Sequence, residues 1–453
     1  PIGADMTGRI PAGAAARGLA TGTIAVTSDG TRLPSMILYD SRGEVSIVNT
    51  LDLHGNHVFT RTDRDNAGRP LTTLGRNRWL TTVTENSYTP GASAVASTSV
   101  RVNGTATVAR RVAYDDLGRT VSVVRGGKAG AIDYTYNVRG LLTSIVSPGL
   151  EMRLHYNDGP GTARWDGMIS AMTWKCPDQE RRRGYLFTYN SQGWLTDAVY
   201  GENDAVTTNP NRYSERVTSY TLNGAIRRLQ RHGLKDNGVY GKIDNLNITL
   251  EGNRVVAVTD DAAPLLRAGS TDFADGSDTM AEYTYNGVGA LTSDANRGIT
   301  LIEYDNLNHP RRVSFRDGHT VEWVYAPDGT RLRAIHTTAV EGVSVAPGMR
   351  SEPDAAHIVR RDTTDYSAGV TWGPGNRLER VEIPGGYATI GAGGVPEYHY
   401  YTADHVGNNR VVVSEDGVIE QVVHYYPFGG QYADAGLNLS AQQLSLIHIP
   451  SPR

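Results

Sequence analysis

Few residues of this sequence combine the types and spacing that acid–base chemistry requires. Asp404 and His405 are adjacent, and a carboxylate beside an imidazole is a common core of a proton-transfer site. Neighbours in a strand point to opposite faces, however, so the two side chains are not expected to act together. We predict a structural or turn role for both residues, and no catalytic site in this chain.

Residues that could hold a metal or a phosphate also lack suitable companions. His54, His57 and His155 have no carboxylate or second histidine at a recurring metal-ligand spacing. Cys176 is the only cysteine, which excludes a disulfide within the chain and a zinc site built from cysteines. The glycine-rich run 391–394 lacks the Lys-Ser/Thr of a phosphate-binding loop. The sequence therefore predicts no metal and no cofactor.

The charge and hydropathy of the chain limit its partners. A net charge of -4 and a pI near 6.3 give no basic surplus for nucleic acid. Arg181, Arg182 and Arg183 form the only sharp basic run, which we expect to be a solvated loop. No stretch approaches the roughly 18 consecutive apolar residues of a membrane span. We expect neither nucleic-acid binding nor a membrane-spanning segment.

A repeat of the form Tyr-(Asp/Asn)-x-x-Gly recurs along the chain. The strands and turns of this repeat must position most of the candidate residues named above. Close anchors such as Tyr114 and Tyr136 lie 22 residues apart. The clearest copies are Tyr114-Asp115 with Gly118, Tyr136-Asn137 with Gly140, Tyr189-Asn190 with Gly193, and Tyr285-Asn286 with Gly289. Further copies begin at Tyr39, Tyr220 and Tyr325, and Tyr304-Asp305 has Asn308 in the glycine position.

The repeat has the chemistry of a chain reversal. Asp or Asn can bond to its own backbone two residues on, and Gly three positions later tolerates a positive φ. Aspartates such as Asp40, Asp115 and Asp305 stand alone in their turns, without the 1-3-5-12 pattern of a calcium loop. A role in forming the turn is sufficient for them.

The segments between the turns predict strands. Val321, Trp323 and Tyr325 alternate with more polar neighbours, the period of a half-buried strand. The chain has 24 Tyr but only 5 Phe and 6 Trp. A tyrosine ring can pack on an apolar surface while its hydroxyl group stays in water, which suits a half-buried sheet face. Because one hairpin is not stable alone, neighbouring copies must join edge to edge. The predicted fold is all-β, a spiral of hairpins in a continuous curved sheet. A β-propeller is the main rival, disfavoured because its blades repeat at roughly 40 residues.

Two motifs resemble a known family. The Tyr-Asp-x-x-Gly-Arg form at Tyr114 to Arg119 resembles the YD repeats of the bacterial Rhs family, shared with Tc-type toxins and animal teneurins, and the likeness covers most of residues 24–436. The run 400–412 is similar to the Asp-His-x-Gly-x-x-Arg signature of the Rhs-associated core, and the run 425–430 to its closing Tyr-x-Pro-Phe-Gly element. The residues that carry the signature are Asp404, His405, Gly407, Arg410, Tyr426, Pro427, Phe428 and Gly429.

The resemblance implies a non-enzymatic scaffold, a hollow β-shell or part of one that encloses and delivers a C-terminal effector. The implied partners are that effector, absent from this chain, with secretion machinery and a target-cell surface or glycans, and the implied location is secreted or on a bacterial surface. Any toxic activity would lie in the absent part, and the family's self-cleavage motif with Asp-Pro-x-Gly is not found. The alternative is a cell-surface adhesion or carbohydrate-binding protein.

The sequence divides into four predicted parts. Residues 1–23 form an irregular N-terminal segment, and the lack of an initiator methionine favours a fragment. Residues 24–349 form the repeat sheet, and residues 350–443 form the Rhs-associated core module. Residues 444–453 resemble the translation of a sequencing-library adapter and are expected to be a non-native tail.

Overall fold

The computed structural model describes residues 19–177, 181–210, 212–265, 272–277, 279–391 and 394–432. Within these ranges the chain forms 34 β-strands and two 3₁₀ helices, with no α-helix. The first strands are β1 (Gly22–Val26), β2 (Arg32–Tyr39), β3 (Val45–Leu51), β4 (His57–Arg64), β5 (Pro70–Asn77), β6 (Leu80–Tyr88), β7 (Val95–Val102), β8 (Thr105–Tyr114), β9 (Thr120–Arg125), β10 (Ala131–Tyr136), β11 (Leu142–Ser147), β12 (Leu150–His155), β13 (Ala171–Lys175), β14 (Arg183–Tyr189), β15 (Leu195–Glu202), β16 (Glu215–Tyr220), β17 (Ile226–Leu234), β18 (Tyr240–Glu251) and β19 (Arg254–Asp260).

The later strands are β20 (Tyr283–Tyr285), β21 (Leu291–Asp294), β22 (Ile299–Tyr304), β23 (Pro310–Phe315), β24 (Thr320–Tyr325), β25 (Arg331–Ala339), β26 (Ile358–Ser367), β27 (Val370–Gly373), β28 (Arg377–Ile383), β29 (Gly386–Ile390), β30 (Pro396–Ala403), β31 (Asn409–Ser414), β32 (Ile419–Val422), β33 (His424–Tyr425) and β34 (Gln431–Tyr432). The 3₁₀ helices are Ala355–His357 and Pro374–Asn376.

Strand pairing follows the order of the chain. One sheet contains the 19 strands β1 to β19, a second contains the 13 strands β20 to β32, and β33 pairs with β34. The registers join consecutive strands in antiparallel orientation, as between β10 and β11 or between β24 and β25. Successive hairpins are the expected product of a repeat that reads strand, turn, strand. The all-β prediction is confirmed, and sheets of this length exclude the four-stranded blades of a propeller.

The chain divides into two compact units. The first comprises Pro1–Ala113, Arg125–Gly127 and Thr300–His399, and the second comprises Tyr114–Val124, Lys128–Ile299 and Tyr400–Arg453. Pairing continues past residue 350, because β26 pairs with β25 on one side and with β27 on the other. The boundary at residue 350 stays a prediction, and the tail 444–453 lies outside the described residues.

A row of opposed side chains forms the interior of the second unit. Leu154 of β12 faces Met172 of β13, which faces Tyr185 of β14, which faces Tyr200 of β15. All four residues are buried. Side chains directly opposite in antiparallel strands lie close enough to pack, so the row holds four strands together on one face.

Tyrosines occupy two environments. Tyr185 and Tyr200 are fully buried, whereas several tyrosines in front of the repeat turns are half-buried, the state that suits a ring with a polar tip. The half-buried group includes Tyr114, Tyr136, Tyr189 and Tyr285. In the part of the chain that is described, no helix is long and apolar enough to cross a membrane.

Candidate functional site

One oxygen of the recurring Asp or Asn organises the repeat turns that contain this residue. Asp115 Oδ1 accepts the backbone N–H of Leu117 at 3.0 Å and that of Arg119 at 2.9 Å. The same two hydrogen bonds, from the residues two and four positions on, recur at Asn137, Asn190, Asn286, Asp305 and Asp404. A carboxylate and an amide both offer this oxygen, which explains why Asp and Asn interchange in the repeat.

The glycine of the repeat supplies a left-handed backbone conformation. Gly118 has a φ of 76°, its N–H donates to the Asp115 carbonyl at 2.9 Å, and the Asp115 N–H donates to the Arg119 carbonyl at 3.0 Å. This pattern is a type I turn followed by a left-handed residue, which closes a hairpin with a bulge. Positive φ recurs at Gly140, Gly193, Gly289, Gly407 and, in the glycine position of the Tyr304 copy, Asn308.

The tyrosine of the repeat fastens each hairpin to the one before it. Tyr136 Oη donates to the Thr120 carbonyl at 2.8 Å, and Thr120 stands two residues after Gly118 of the preceding turn. We name this hydrogen bond the tyrosine clip. It recurs from Tyr88 to Pro70, from Tyr156 to Leu142, from Tyr189 to Ile169, from Tyr220 to Leu195 and from Tyr425 to Asn409.

The tyrosine clip could not be predicted from the sequence, because the number of residues between the tyrosine and the preceding turn is not constant. Tyr136 follows Gly118 by 18 residues, whereas Tyr156 follows Gly140 by 16. The hydrogen bond can form because two strands are neighbours in the sheet. One strand follows a repeat turn, and the other precedes the next repeat turn. Only the pairing of the strands, together with the turn geometry, brings those two groups within hydrogen-bond reach.

An arginine after the glycine joins two successive repeats. Arg119 Nε donates to Asp115 Oδ2 of its own turn at 2.7 Å, and its guanidinium lies 4.7 Å from the ring centre of Tyr136 in the next repeat. Arg69 makes the same pair of contacts, with Asp65 and with Tyr88 at 4.4 Å. A guanidinium over an aromatic face contributes about 0.5–1 kcal/mol at such exposed sites. The arginine that follows the repeat glycine thus links its own turn to the tyrosine of the next repeat.

The Asp404 side chain is buried, whereas that of Asp115 in an ordinary repeat turn is partly exposed. Asp404 and His405 lie in the turn after β30 rather than in a strand. Asp404 Oδ2 accepts a hydrogen bond from Arg410 Nε at 3.0 Å, and the two side chains are 1% and 2% exposed. Burial alone would raise the pKa of Asp404, but Arg410 and the turn hydrogen bonds hold that pKa below its usual value. The pair is a buried, ionised link between the turn and β31.

Aromatic rings enclose the Arg410 guanidinium. It lies 5.3 Å from the ring centre of Trp174 and 5.2 Å from that of Tyr425. His405 takes no part in this link: burial lowers its pKa, and its Nδ1 is buried without a hydrogen-bond partner among the described residues. Asp404 and His405 therefore do not form a proton-transfer pair in this geometry.

The closing element is another copy of the repeat turn. Tyr426 N–H donates to the Gly430 carbonyl at 2.7 Å, and Gly429 N–H, with φ 92°, donates to the Tyr426 carbonyl at 2.8 Å. Pro427 occupies the second position of the turn, which suits its fixed φ. Tyr425 makes the tyrosine clip to Asn409 at 3.0 Å. Tyr425 is thus the repeat tyrosine, and Tyr426 stands in the aspartate position.

The closing element is docked on β16 and β17. Tyr426 is buried, and its Oη donates to the His232 carbonyl at 2.6 Å. Phe428 N–H donates to Glu215 Oε2 at 3.0 Å, while its ring is 47% exposed. Burial raises the pKa of Glu215 to about 7, although the nearby Arg231 opposes that rise. The Tyr426 side chain and the Phe428 backbone, rather than the phenylalanine ring, make the attachment.

The prediction of a solvated basic run is wrong for one of its three arginines. Arg183 is on β14 and is 2% exposed, with its guanidinium against His424. Arg182 pairs with Glu151 at 2.8 Å and with Asp204 at 2.9 Å, and Arg181 pairs with a buried glutamate. Strand β14 begins at Arg183, so this residue enters the sheet, whereas Arg181 and Arg182 precede the strand.

The histidines singled out by sequence contact polar side chains. His54 Nε2 lies 2.5 Å from Asp365 Oδ2, in a network with Arg333 and Arg78. His57 Nδ1 lies 3.3 Å from Asn49 Oδ1, and His155 pairs with Asp158 at 3.4 Å. None of these contacts includes a second histidine.

Comparison with known proteins gives likeness of structure only. No family model and no curated protein matches the chain. A crystal structure of TcdB2-TccC3-TEV is 13% identical with a TM-score of 0.29, over 88% of this chain and 25% of that one. A mutant Tc holotoxin pore from Photorhabdus luminescens is 11% identical with a TM-score of 0.26, over 89% and 28%. The chain thus spans about a quarter of the length of these structures.

Proposed function

We propose that this chain is a non-enzymatic wall segment of an Rhs-like β-shell, which encloses a C-terminal effector encoded downstream and releases it at a target cell. The chain itself supplies containment, and any toxic chemistry belongs to the enclosed domain. The proposal includes secretion from a bacterium or display on its surface. The observation that carries it is the tyrosine clip, which gives repeats along the chain, from Tyr88 to Tyr425, the same attachment to the preceding repeat.

A repeated attachment suits a wall, because each added hairpin can be attached by the same kind of contact. Several copies share a turn closed by one side-chain oxygen, a tyrosine hydrogen bond to the preceding copy, and an arginine across the joint between the two copies. A net hydrogen bond contributes about 0.5–1.5 kcal/mol, and the clips recur between Tyr88 and Tyr425. Repeated attachment favours a rigid enclosure over a single binding or catalytic centre.

The docked closing element also supports an enclosure. The last described hairpin, β33 and β34, is held by Tyr426 and Phe428 on strands that occur roughly 200 residues earlier in the sequence, as the contacts to His232 and Glu215 show. These contacts hold the last described hairpin at a fixed point on the sheet. A downstream domain that follows a docked hairpin can be held against the wall, whereas one that follows an unattached segment would not be held there.

Protease access to the downstream domain tests the proposal. The full gene product is prepared with a thrombin site placed beyond residue 443, and in a matched variant with the same site in the exposed turn at Gly252. Enclosure predicts that the turn site is cut rapidly while the downstream site is cut only after urea is added. Equal rates of cleavage at both sites in the native protein would contradict enclosure.

The second candidate is a carbohydrate-binding surface protein. The observation that favours it is Trp165, which is 74% exposed in the second unit. Exposed tryptophan faces commonly stack on ligands. A glycan-array signal that disappears in Trp165→Ala, but persists in a variant of the half-exposed Trp79, would support this candidate over the wall segment.

A further inference from the structure

We propose that a polar pocket in the second unit binds an acidic peptide, with Lys175 and Arg181 holding its carboxylate. This inference goes beyond the wall role and does not depend on it. The pocket has a volume of about 770 Å³ and lies where β13 ends at Lys175 and β15 ends at Glu202. Residues 203–209, which we name the β15 loop, supply part of its lining.

The β15 loop has a strained backbone that its surroundings fix in place. Asn203, Val206 and Asn209 have φ angles of 74°, 56° and 56°, a region that residues with a Cβ rarely adopt and valine least of all. Val206 is 2% exposed and lies against Gly184 and Gly201, where an added Cβ would collide with it. Strain of this kind persists only where the structure around it imposes it, and it clusters at ligand-binding sites.

Hydrogen bonds hold the β15 loop in this shape. Asn203 Oδ1 accepts the N–H of Ala205 at 3.0 Å and that of Thr207 at 3.3 Å. The Glu202 N–H donates to the Thr208 carbonyl at 2.9 Å. The loop is thus a preorganised wall of the pocket, and a ligand does not have to order it on binding.

A buried carboxylate orients the arginine that faces the ligand. The Glu202 side chain is 4% exposed, and its Oε2 accepts hydrogen bonds from Arg181 Nη1 at 3.0 Å and from Asn209 Nδ2 at 2.8 Å. Its Oε1 accepts one from Arg212 Nη1 at 2.7 Å. The Arg181 side chain is nevertheless 62% exposed, so one end of its guanidinium is fixed while the rest can bind a carboxylate.

Lys175 supplies a positive charge that the protein does not neutralise. It is exposed at the end of β13 and forms no ion pair with a residue in the described part of the chain. Arg182, the third cation of the lining, is already paired with Glu151 at 2.8 Å and with Asp204 at 2.9 Å. A ligand carboxylate beside Lys175 and Arg181 would therefore complete the charge balance of the pocket.

The lining favours an acidic peptide over other ligands. Its described residues are all polar or charged, and none offers an aromatic ring on which a sugar could stack. Thr208 Oγ and the exposed Asp204 carboxylate can accept N–H groups of a peptide backbone, while the cations bind an Asp or Glu side chain. The carboxylates of Glu202 and Asp204 would repel a phosphate dianion more strongly than a singly charged carboxylate.

Saturation-transfer NMR of the full chain with the peptide Ac-Gly-Glu-Gly-NH₂ at low ionic strength tests the pocket. The matched peptide Ac-Gly-Gln-Gly-NH₂ lacks only the charge, and acetate lacks the backbone. We expect saturable binding of the Glu peptide with a Kd on the order of 1 mM. Binding of the Gln peptide and of acetate should be at least about fivefold weaker, because each lacks one set of polar contacts.

Three results of this titration would overturn the proposal. They are the absence of saturable binding of the Glu peptide, an equal affinity for the Gln peptide or acetate, and tighter binding of D-glucuronate, which would indicate a saccharide site instead. High salt should weaken binding of the Glu peptide, because the two cations are exposed and their attraction is screened.

Three variants separate the pocket from general effects of charge. Lys175→Gln and Arg181→Gln should each weaken binding of the Glu peptide at least about tenfold, because each removes a charged donor. Lys128→Gln changes an exposed lysine outside the pocket and should bind as the unaltered chain does. Lys175→Gln leaves no buried group without a partner, so its Tm should stay close to that of the unaltered chain even if Arg181→Gln folds less well. Unchanged affinity in Lys175→Gln would refute the assignment.

Discussion

Replacement of Asp404 by Asn should destabilise the chain far more than the same change in an ordinary repeat turn. The amide keeps the Oδ1 that accepts the N–H groups of Val406 and Asn408, so the turn itself can persist. It loses the negative charge opposite Arg410, and its NH₂ group faces the Arg410 Nε–H and the Asn408 amide, which are also donors. Arg410 would remain 2% exposed with its charge uncompensated.

The magnitude follows from the burial of the pair. Removal of one partner from a buried ion pair costs about 3–5 kcal/mol, because the other charge stays in a poorly solvated site. The double variant Asp404→Asn, Arg410→Met removes both charges. It should be at least about 1–2 kcal/mol more stable than the sum of the single changes predicts, which is the signature of direct coupling.

Urea unfolding followed by tryptophan fluorescence measures these differences, since Trp174 packs against Arg410. Asp115→Asn is the matched control, because the same position is already Asn at residues 137, 190 and 286 and Arg119 stays solvated. The midpoint should move far to lower urea in Asp404→Asn and little in Asp115→Asn. Equal shifts, or a double variant that is simply additive, would refute the reasoning.

Three further changes test the remaining contacts. Tyr136→Phe removes one tyrosine clip and should lower the free energy of unfolding by about 0.5–1.5 kcal/mol in urea titrations, and no loss would contradict the role given to the clip. Because burial raises the pKa of Glu215 to about 7, the folded chain binds that proton more tightly than the unfolded chain. The contribution of Glu215 to the free energy of unfolding should therefore fall by about 2.5 kcal/mol between pH 5 and 8, and Glu215→Gln should remove this part of the pH dependence. Gly118→Ala should lower the free energy of unfolding by about 1–2 kcal/mol, because alanine disfavours a φ of 76°; the added carbon itself would meet no atom within 4 Å. Asn308→Gly should raise the melting temperature, because Asn308 also has a positive φ.

The turns and the fold class could be predicted from sequence because their causes are local. Asp115 and Gly118 are three residues apart, and their hydrogen bonds close within five residues. Strand alternation and the marginal stability of one hairpin then lead to a sheet of many strands. No long-range information enters that argument.

The contacts that distinguish individual repeats could not be predicted because they join distant segments. The burial of Arg183 depends on His424, and the docking of Phe428 depends on Glu215. Carboxylate oxygens of Asp244, Asp260 and Asp272 lie within 4.8 Å of one another, although these residues are separated in the sequence. Each pairing is set by the register and the path of the sheet, which a turn motif does not encode.

The central claim is that the chain forms part of a wall around a downstream domain. A cryo-EM reconstruction of the full gene product tests it most directly. The account predicts density for the downstream domain inside a cavity lined by the strands between residues 24 and 432. A downstream domain that projects into solvent, with no density inside the sheet, would contradict the account.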